Sequence, residues 1–451
     1  MRSKLMTLAV VVAGVVLAAP TAIAAEDAVQ EQLRLMEQRM AEMEDRLQAT
    51  SEELDSAKTT VEEQQEMLSD AGLVDDDRGV RSGVGAFFEA VDVSGVAAAS
   101  YNYRFIDGGD ADGLGNTTGL SDPNSFGNTP NGGASNDSFF THRNSDTFQI
   151  DQVWMTLDKT PTEESRAGFH VDLVWGETAE SQSSGSRDTG LLYTGYVSYL
   201  APIGDGVQFD AGKLATTLGA EVLQANQNFN VTNGAVFQTL QPFTHTGVTA
   251  TTDLGDGIAL VVGVVNEVYR DTNISTDRNK AYIGQVQIAG DSFGLNVGAI
   301  VGENPTAVRC DNSETDCNSS VFDVTMTVAP TDNLEAWINL DWVRHFGSDV
   351  KDADQVGIAA ASRLAITDDT GIAGRVEYMW QEATAFTTGG PGGGDDRELL
   401  TLTGTVDHQL AEGLKIRGEL RYDRELEEDA NRFSSGDQDQ LVGLAEIYYE
   451  F

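Results

Sequence analysis

Basic residues are scarce in this chain of 451 residues: 28 Lys+Arg stand against 72 Asp+Glu, a formal net charge of −44. A surface so acidic excludes duplex nucleic acid as a partner, because that binding needs clustered cations. Cysteine is scarcer still, with two residues. Two thiols cannot build a disulfide scaffold or a multi-cysteine metal site. His170, His245, His345 and His408 are scattered, and no Gly-x-Ser-x-Gly or Ser–His arrangement stands out. No catalytic residue, metal or cofactor is therefore predicted. Long apolar runs are also missing, and none reaches the about 18–20 residues of a spanning helix.

Two smaller features fail as sites. Asp107, Asp110 and Asp112 lack the spacing of a full calcium loop and read as solvated acids. Gly113, Gly115 and Gly119 miss a dinucleotide fingerprint and follow no βαβ unit.

What is present begins with an export signal. Arg2 and Lys4 precede an apolar stretch from Leu5 to Ala19, then Pro20 and the small-x-small site Ala22-Ile23-Ala24. This order predicts a cleaved signal peptide over 1–24. From Val29 the apolar positions step by four and three. The series Leu33, Met40, Leu47, Leu54, Val61, Leu68 is wholly apolar, while its alternate weakens to Thr50, Ala57 and Gln64. Sustained heptads without Gly or Pro predict a coiled coil over 25–72, about 60 Å long, with 73–89 as linker. An amphipathic helix lying on the barrel is the plainer alternative. A coiled coil needs partners, so a homo-oligomer is expected, with two or three strands both open.

After Gly72 the period falls from 3.5 to 2. Phe293-Leu295-Val297-Ala299-Val301 and Leu334-Ala336-Ile338-Leu340-Trp342 show the alternation, with polar residues between. Alternation marks strands with two unlike faces. Sixteen candidates follow: 90–105, 146–159, 166–175, 190–200, 206–214, 243–253, 258–268, 280–289, 292–301, 321–329, 334–344, 355–366, 371–381, 397–408, 414–423 and 439–451. Short and long connections alternate between them. That is the pattern of an all-β transmembrane barrel of about sixteen antiparallel strands over 90–451, with short turns and both termini on the periplasmic side. A large soluble β-sandwich or β-helix shares the alternation and differs in which face is apolar. The chain ends on an alternating aromatic strand, Ile447, Tyr449, Phe451. This ending resembles the signal read by the outer-membrane assembly machinery, which is thereby an expected partner. Aromatic residues near strand ends, such as Tyr103, Trp175 and Trp380, suit a membrane girdle.

The phrases Phe148-Gln149-Ile150-Asp151-Gln152-Val153-Trp154, Gly212-Lys213, Leu218-Gly219-Ala220-Glu221, Phe243-Thr244-His245-Thr246-Gly247-Val248 and Gly263-Val264-Val265-Asn266 resemble the OmpL-like β-barrel porins of Gram-negative outer membranes. The resemblance covers about a third of the chain. It implies a passive channel and fixes no solute. Ala220 departs from the aromatic residue that this family places before its loop glutamate.

Sixteen strands can enclose water. Parity assigns Arg363, Arg375, Lys415, Arg417 and Arg421 to the lumen, with Glu377 and Glu419 among them. The third long connection, 215–242, is rich in Asn, Gln and Thr, with Glu221 as its one charge. An inward fold of this loop would set Glu221 against the basic ladder and make an eyelet, to which Lys213 is also assigned. Basic rings favour anions. The competing reading is that these bases pair with Glu377 and Glu419. Cys310 and Cys317 share one long loop and, in an exported chain, are expected to form a disulfide.

The expected function is passive diffusion of small hydrophilic solutes, with a lean toward anions, in a trimeric outer-membrane porin. The rivals are a barrel used as an anchor for the coiled coil, and a barrel enzyme. The charge divides as −12 over 25–78 and −34 over 79–451. Acidic long loops, such as Asp349/Asp352/Asp354 and Glu425/Glu427/Glu428/Asp429, suggest bridging to lipopolysaccharide through divalent cations.

Overall fold

A computed structural model describes residues 91–105, 147–182, 190–269, 280–304, 317–347, 352–382, 396–427 and 438–451. The chain divides into two units, Met1–Glu89 and Ala90–Phe451. The expected signal peptide and the seam Leu33–Leu68 lie outside the described residues, as does Cys310 of the expected disulfide.

Alternating sequence gives strands in the second unit. They are β1 Asp92–Arg104, β2 Thr147–Lys159, β3 Ala167–Trp175, β4 Gly190–Ala201, β5 Val207–Ala215, β6 Thr244–Gly255, β7 Ile258–Val265 and β8 Ala281–Ala289. The second half is β9 Phe293–Glu303, β10 Cys317–Thr331, β11 Leu334–Gly347, β12 Ala353–Thr367, β13 Thr370–Gln381, β14 Arg397–Ala411, β15 Leu414–Glu425 and β16 Asp439–Glu450. Each pairs antiparallel with the next, and β1 pairs with β16, so the sixteen close into a barrel. Closure leaves no edge, and every strand finds backbone partners on both sides.

The expected boundaries lie within two residues of these at most ends. The ends of β7, β11 and β14 differ by three, and the largest departure is β10, which begins at Cys317 rather than 321. Its extra residues, Asn318-Ser319-Ser320, carry no apolar alternation. They join the sheet because β11 runs on to Gly347 and offers them partners.

The apolar face points outward. Phe148, Val197, Tyr282, Ile338, Leu420 and Ile447 are among the exposed large apolar residues. Asp323, Asp341, Thr401, Arg421 and Asp423 on the other face are buried. A soluble sandwich would invert this. The strands run from 8 to 15 residues, and the about 9–11 that a tilted strand needs to cross a bilayer fall within that range. Among the described residues no helix is long and apolar enough to cross a membrane.

The lumen is not empty. Residues 216–243, between β5 and β6, fold into it and carry a 3₁₀ turn, Ala225–Gln227, and helix α2, Ala235–Leu240. A second helix, α1 Glu177–Gln182, follows β3 and lies against β2, β3 and β4. The inner loop is amphipathic. Leu218, Ala235, Val236 and Leu240 pack with Val265, Ile283, Ile300, Val321, Trp337 and Met379 of the wall. Leu223, Ala225 and Phe237 pack with Val96, Trp154, Val174 and Tyr448 on another part of it. The lumen face is thus apolar where these side chains of the loop meet it.

Candidate pore constriction

Gly219 opens the inner loop with a φ of +92° and gives its Cβ space to the Gln241 amide at the loop's far end. Any side chain here would be strained and would collide with that amide. The two ends of the loop meet there on β10 and β11. Gln241 Nε2 donates to Asn339 Oδ1 at 2.6 Å and to Asp341 Oδ2 at 3.0 Å. The Ala220 amide donates to the same Asn339 oxygen at 3.1 Å. Asn339 Nδ2 donates to Asp323 Oδ2 at 2.6 Å.

Beyond Gly219 the loop meets the arginines of β13 and β15. Arg375 Nη1 donates to Glu221 Oε1 at 2.5 Å and to the Thr232 carbonyl at 2.6 Å, while its Nε lies 3.1 Å from Glu377 Oε2. Arg421 Nη1 donates to the Asn233 carbonyl at 2.7 Å, and Arg421 Nε pairs with Asp423 at 2.9 Å. Arg417 Nη1 reaches the carbonyls of Asn228 and Asn230 at 3.0 and 3.2 Å, and its Nε pairs with Glu446 at 2.5 Å.

Carboxylates take the loop's amides. Glu419 accepts from the amides of Val231 at 2.6 Å and Thr232 at 3.1 Å, and from the Thr232 hydroxyl at 2.6 Å. The Val236 amide donates to Glu377 at 3.1 Å, and the Gly234 amide to Glu221 at 2.7 Å. Gly234 lies between those two carboxylates, where a Cβ would strike both. Burial pushes the Glu221 carboxyl above its ordinary value, against the pull of Arg375.

Parity is therefore a correct guide to which wall residues face inward, and Arg375 does meet Glu221. The meeting is direct contact, not a pair of charges facing across a gap. The side chains of Arg375, Arg417 and Arg421 are at most 2% exposed. Each pairs with an acid, and Glu377 is among those acids. Glu419 binds the loop instead. The arginines and these carboxylates together act as a strap that holds the backbone of residues 228–236.

The remaining assigned bases are elsewhere. Arg363 makes a two-point pair with Asp407 at 2.6 and 2.9 Å near the short-turn end. Lys415 stands 3.9 Å from Glu450, also near that end. Both keep solvent contact, at 30% and 27% of the side chain. Lys213 departs from the expected eyelet. Its register with Gly195 and Thr246 places it on the outer face with Phe209 and Ala211. There Nζ donates to the Leu192 carbonyl at 2.9 Å, beside the bulge that doubles Tyr193 and Thr194 on the inner side. Strand alternation overrides the loop-side position of the Gly-Lys phrase.

The residues of the loop that keep solvent contact lie earlier. Gln224, Asn226 and Asn228 are half-buried, and Val222 and Gln227 are exposed. This edge carries no charge. Asn226 Nδ2 donates to Glu450 at 3.1 Å, and Gln152 of β2 takes the Ala225 amide at 3.0 Å and donates to the Leu223 carbonyl at 3.0 Å. Gln152 faces inward because β2 bulges at Asp151, which puts two successive side chains on the lumen side.

A second polar network, without a sequence signal, lies toward the short-turn end of β2–β5. His170 Nδ1 is 2.8 Å from Asp158 and Nε2 is 2.9 Å from Asp172, and the ring stacks on Tyr196 at 5.1 Å. Asp172 also accepts from Trp154, Thr156 and Thr194. Two carboxylates on one imidazole are both satisfied only by the protonated ring. The residues lie on three different strands, so only pairing brings them together. Among the described residues no group of His, Cys, Asp and Glu is arranged to hold a metal ion.

The sequence model of the family described as "Putative beta-barrel porin-2, OmpL-like" matches residues 119–451. No curated protein matches the chain in sequence. Among solved structures, a loop L8 deletion mutant of OmpT, an outer membrane protein of Vibrio cholerae, superposes with a TM-score of 0.51 at 12% identity, over 80% of this chain and 99% of that one. The trimer form of in-vitro folded OmpT gives 0.51 at 13%, over 80% and 99%. The outer membrane channel DcaP of Acinetobacter baumannii gives 0.51 at 11%, over 80% and 97%. At these identities the likeness is one of fold. The family match covers most of the chain and all sixteen strands but the first, and it agrees with the apolar-out, loop-in barrel: this chain belongs to the OmpL-like β-barrel porin family of the outer membrane.

Proposed function

We propose that the barrel passes small hydrophilic solutes by passive diffusion along the uncharged edge of its inner loop. The observation that carries this reading is the division of that loop. Residues 230–238 are buried against the wall, while Gln224, Asn226, Gln227 and Asn228 keep solvent contact. Amide side chains can exchange hydrogen bonds with a passing hydroxyl or amide without selecting charge.

The neutralised arginines remove the basis for a lean toward anions. Among the solvent-touching ionic groups of the lumen face, Asp158 with His170, Arg363 with Asp407 and Lys415 with Glu450 pair opposite signs, and Asp210 and Glu335 add further acid. We expect selectivity near neutrality, tilted slightly toward cations. Reversal potentials of the purified protein in planar bilayers under a salt gradient test this. Conductance with a small cation preference supports it, and a strong anion preference overturns it.

One observation favours the anchor reading: the inner loop packs on two parts of the wall at once. A barrel closed by that packing would give no unit conductance in the same bilayers. For the enzyme reading, the Ser–His pair among the described residues is Ser319 Oγ and His345 Nδ1 at 2.7 Å. Its serine is fully buried and also accepts from Asn304, and the other ring nitrogen faces Gln355 rather than an acid. The Ser319 hydroxyl is therefore not presented to a substrate. The stalk-forming coiled coil in the periplasm, assembly as a trimer, the Cys310–Cys317 clip, recognition of Ile447, Tyr449 and Phe451 by the assembly machinery, and divalent bridging of acidic loops to lipopolysaccharide complete the proposal.

A further inference from the structure

The two ends of the inner loop are fastened over a pair of acids. Asp323 of β10 and Asp341 of β11 stand directly opposite each other in the sheet register. Both are fully buried, and their carboxyl groups lie within hydrogen-bonding reach of each other. Asp323 accepts from Asn339 Nδ2 at 2.6 Å, from the Gly219 amide and, at 3.3 Å, from the Thr325 hydroxyl. Asp341 Oδ2 accepts from Gln241 Nε2 at 3.0 Å, while Asp341 Oδ1 is buried with no partner. Every one of these donors is neutral. The register partners on the flanking strands, Gly298 of β9 and Gly357 of β12, bring no charge. Glu303 and Glu335 lie at opposite ends of β9 and β11, and the loop's Glu221 is held by Arg375. Above Asp341 on β11, His345 takes Gln355 Nε2 on its own Nε2 at 2.8 Å, so that nitrogen accepts and the ring is neutral. Tyr269 donates to the Leu240 carbonyl at 2.7 Å, and burial pushes its hydroxyl well above the ordinary value. Among the described residues, no cation stands against the pair.

We propose that Asp323 and Asp341 hold one proton between them, and that this proton fastens the root of the inner loop. Two ionised carboxylates in contact repel, and burial without a cation removes the screening that water gives them. A single shared proton turns that repulsion into a hydrogen bond, and it belongs to the pair rather than to either residue. The same pair ties down both loop ends, Gln241 directly and Gly219 through its amide. The sign of the linkage follows. The seated loop covers the pair and requires the proton. Release of the loop lets water reach both carboxylates, and the proton passes to solvent. The seated state thus binds one proton more than the released state. Raising the pH favours release, by at most about ten-fold in the ratio of the two states per pH unit. This device stands whether or not the barrel conducts.

The test follows hydrogen exchange of residues 216–243 in the purified full-length protein between about pH 5 and about pH 9. Wild type and variants are compared at each pH, which cancels the intrinsic pH dependence of exchange. Asp341→Asn places an amide N–H where the shared proton lies and keeps an oxygen for Gln241. Asp323→Asn does the same from the other side, and serves if the first variant fails to fold, as read by heat-modified gel mobility. The wild-type loop is expected to lose protection by about ten-fold or more as the pH rises, while either Asn variant stays within about two-fold. His345→Gln and Tyr269→Phe are expected to keep the wild-type response. A flat wild-type profile overturns the proposal, as do Asn variants that titrate like the wild type. So does a response that disappears in His345→Gln or Tyr269→Phe. Protection that follows calcium and chelator at fixed pH also overturns it, since a metal cation would then join the carboxylates. Conductance in planar bilayers is recorded in parallel. A silent barrel whose loop titrates fails the diffusion reading alone, and a conducting barrel whose loop does not titrate fails this inference alone.

Discussion

The lumen face holds two charged networks with different fates. Under the inner loop, Arg375, Arg417 and Arg421 are buried, and their partners are backbone carbonyls and carboxylates. Toward the short-turn end of β2 and β3, the Asp158–His170–Asp172 group keeps solvent contact, with 30%, 22% and 10% of each side chain exposed. Both networks sit on inward positions of alternating strands. Facing inward therefore decides only that a charge is inside the barrel. Whether it faces the passage depends on what the loop covers.

The comparison breaks most visibly at Arg375. Arg375→Ala removes one guanidinium and leaves Glu221 and Glu377 buried beside each other. Stranding buried charge costs about 3–5 kcal/mol. The expected result is a clearly lowered unfolding temperature of the folded barrel. The loop is also released, and single-channel conductance should rise roughly two-fold with larger current noise. Adding Glu221→Gln should recover part of the stability, because it removes one of the two stranded charges. Unchanged conductance would mean that the loop does not limit the pore.

Glu419→Gln should act on the same strap with less force. The carboxylate accepts the Val231 and Thr232 amides and also the Thr405 hydroxyl at 2.8 Å. An amide keeps one accepting oxygen and turns a donor on groups that also donate. The expected loss is about 1.5–3 kcal/mol, read by thermal unfolding, with a smaller rise in conductance than for Arg375→Ala.

The exposed network should respond in the opposite proportion. His170→Gln removes a positive ring from between two acids, and solvent screens what remains. Stability should change by about 1 kcal/mol or less. The reversal potential should move toward cations while the conductance level stays close to wild type. A large stability loss with no change in selectivity would place this network with the strap rather than with the passage.

Much of this was readable in advance. Period-2 alternation placed all sixteen strands because an apolar-out barrel forces it on every strand. The third connection, rich in Asn, Gln and Thr, and the inward parity of Arg375 put Glu221 and Arg375 in one eyelet, as charges facing across it and not in contact. Two kinds of information were hidden. Thr232, Asn230 and Asn233 bind the arginines through main-chain carbonyls, which any residue owns. His170 finds Asp158 two-on-one only through the β2–β3 register, a pairing that no local pattern encodes. Lys213 shows a third limit. Its phrase suggested the pore, yet its place in the alternation with Phe209 and Ala211 sends it outward.

The finest test of the comparison is a charge placed where neither network reaches. Gln227 is exposed on the loop edge, and its Nε2 donates to Gln224 at 2.7 Å. Gln227→Glu adds one negative charge to an edge that has none. An exposed substitution should leave stability within about 0.5 kcal/mol. If solutes pass along this edge, the added carboxylate meets them, and cation preference rises measurably in the reversal potential. If they pass elsewhere, the field of a single solvated charge is screened within about 10 Å at 0.1 M salt, and the potential does not move. Repeating the measurement at 1 M salt, where screening shortens to about 3 Å, sharpens the distinction. A shift that survives high salt places the carboxylate in the passage itself, whereas a shift confined to low salt places it at the mouth.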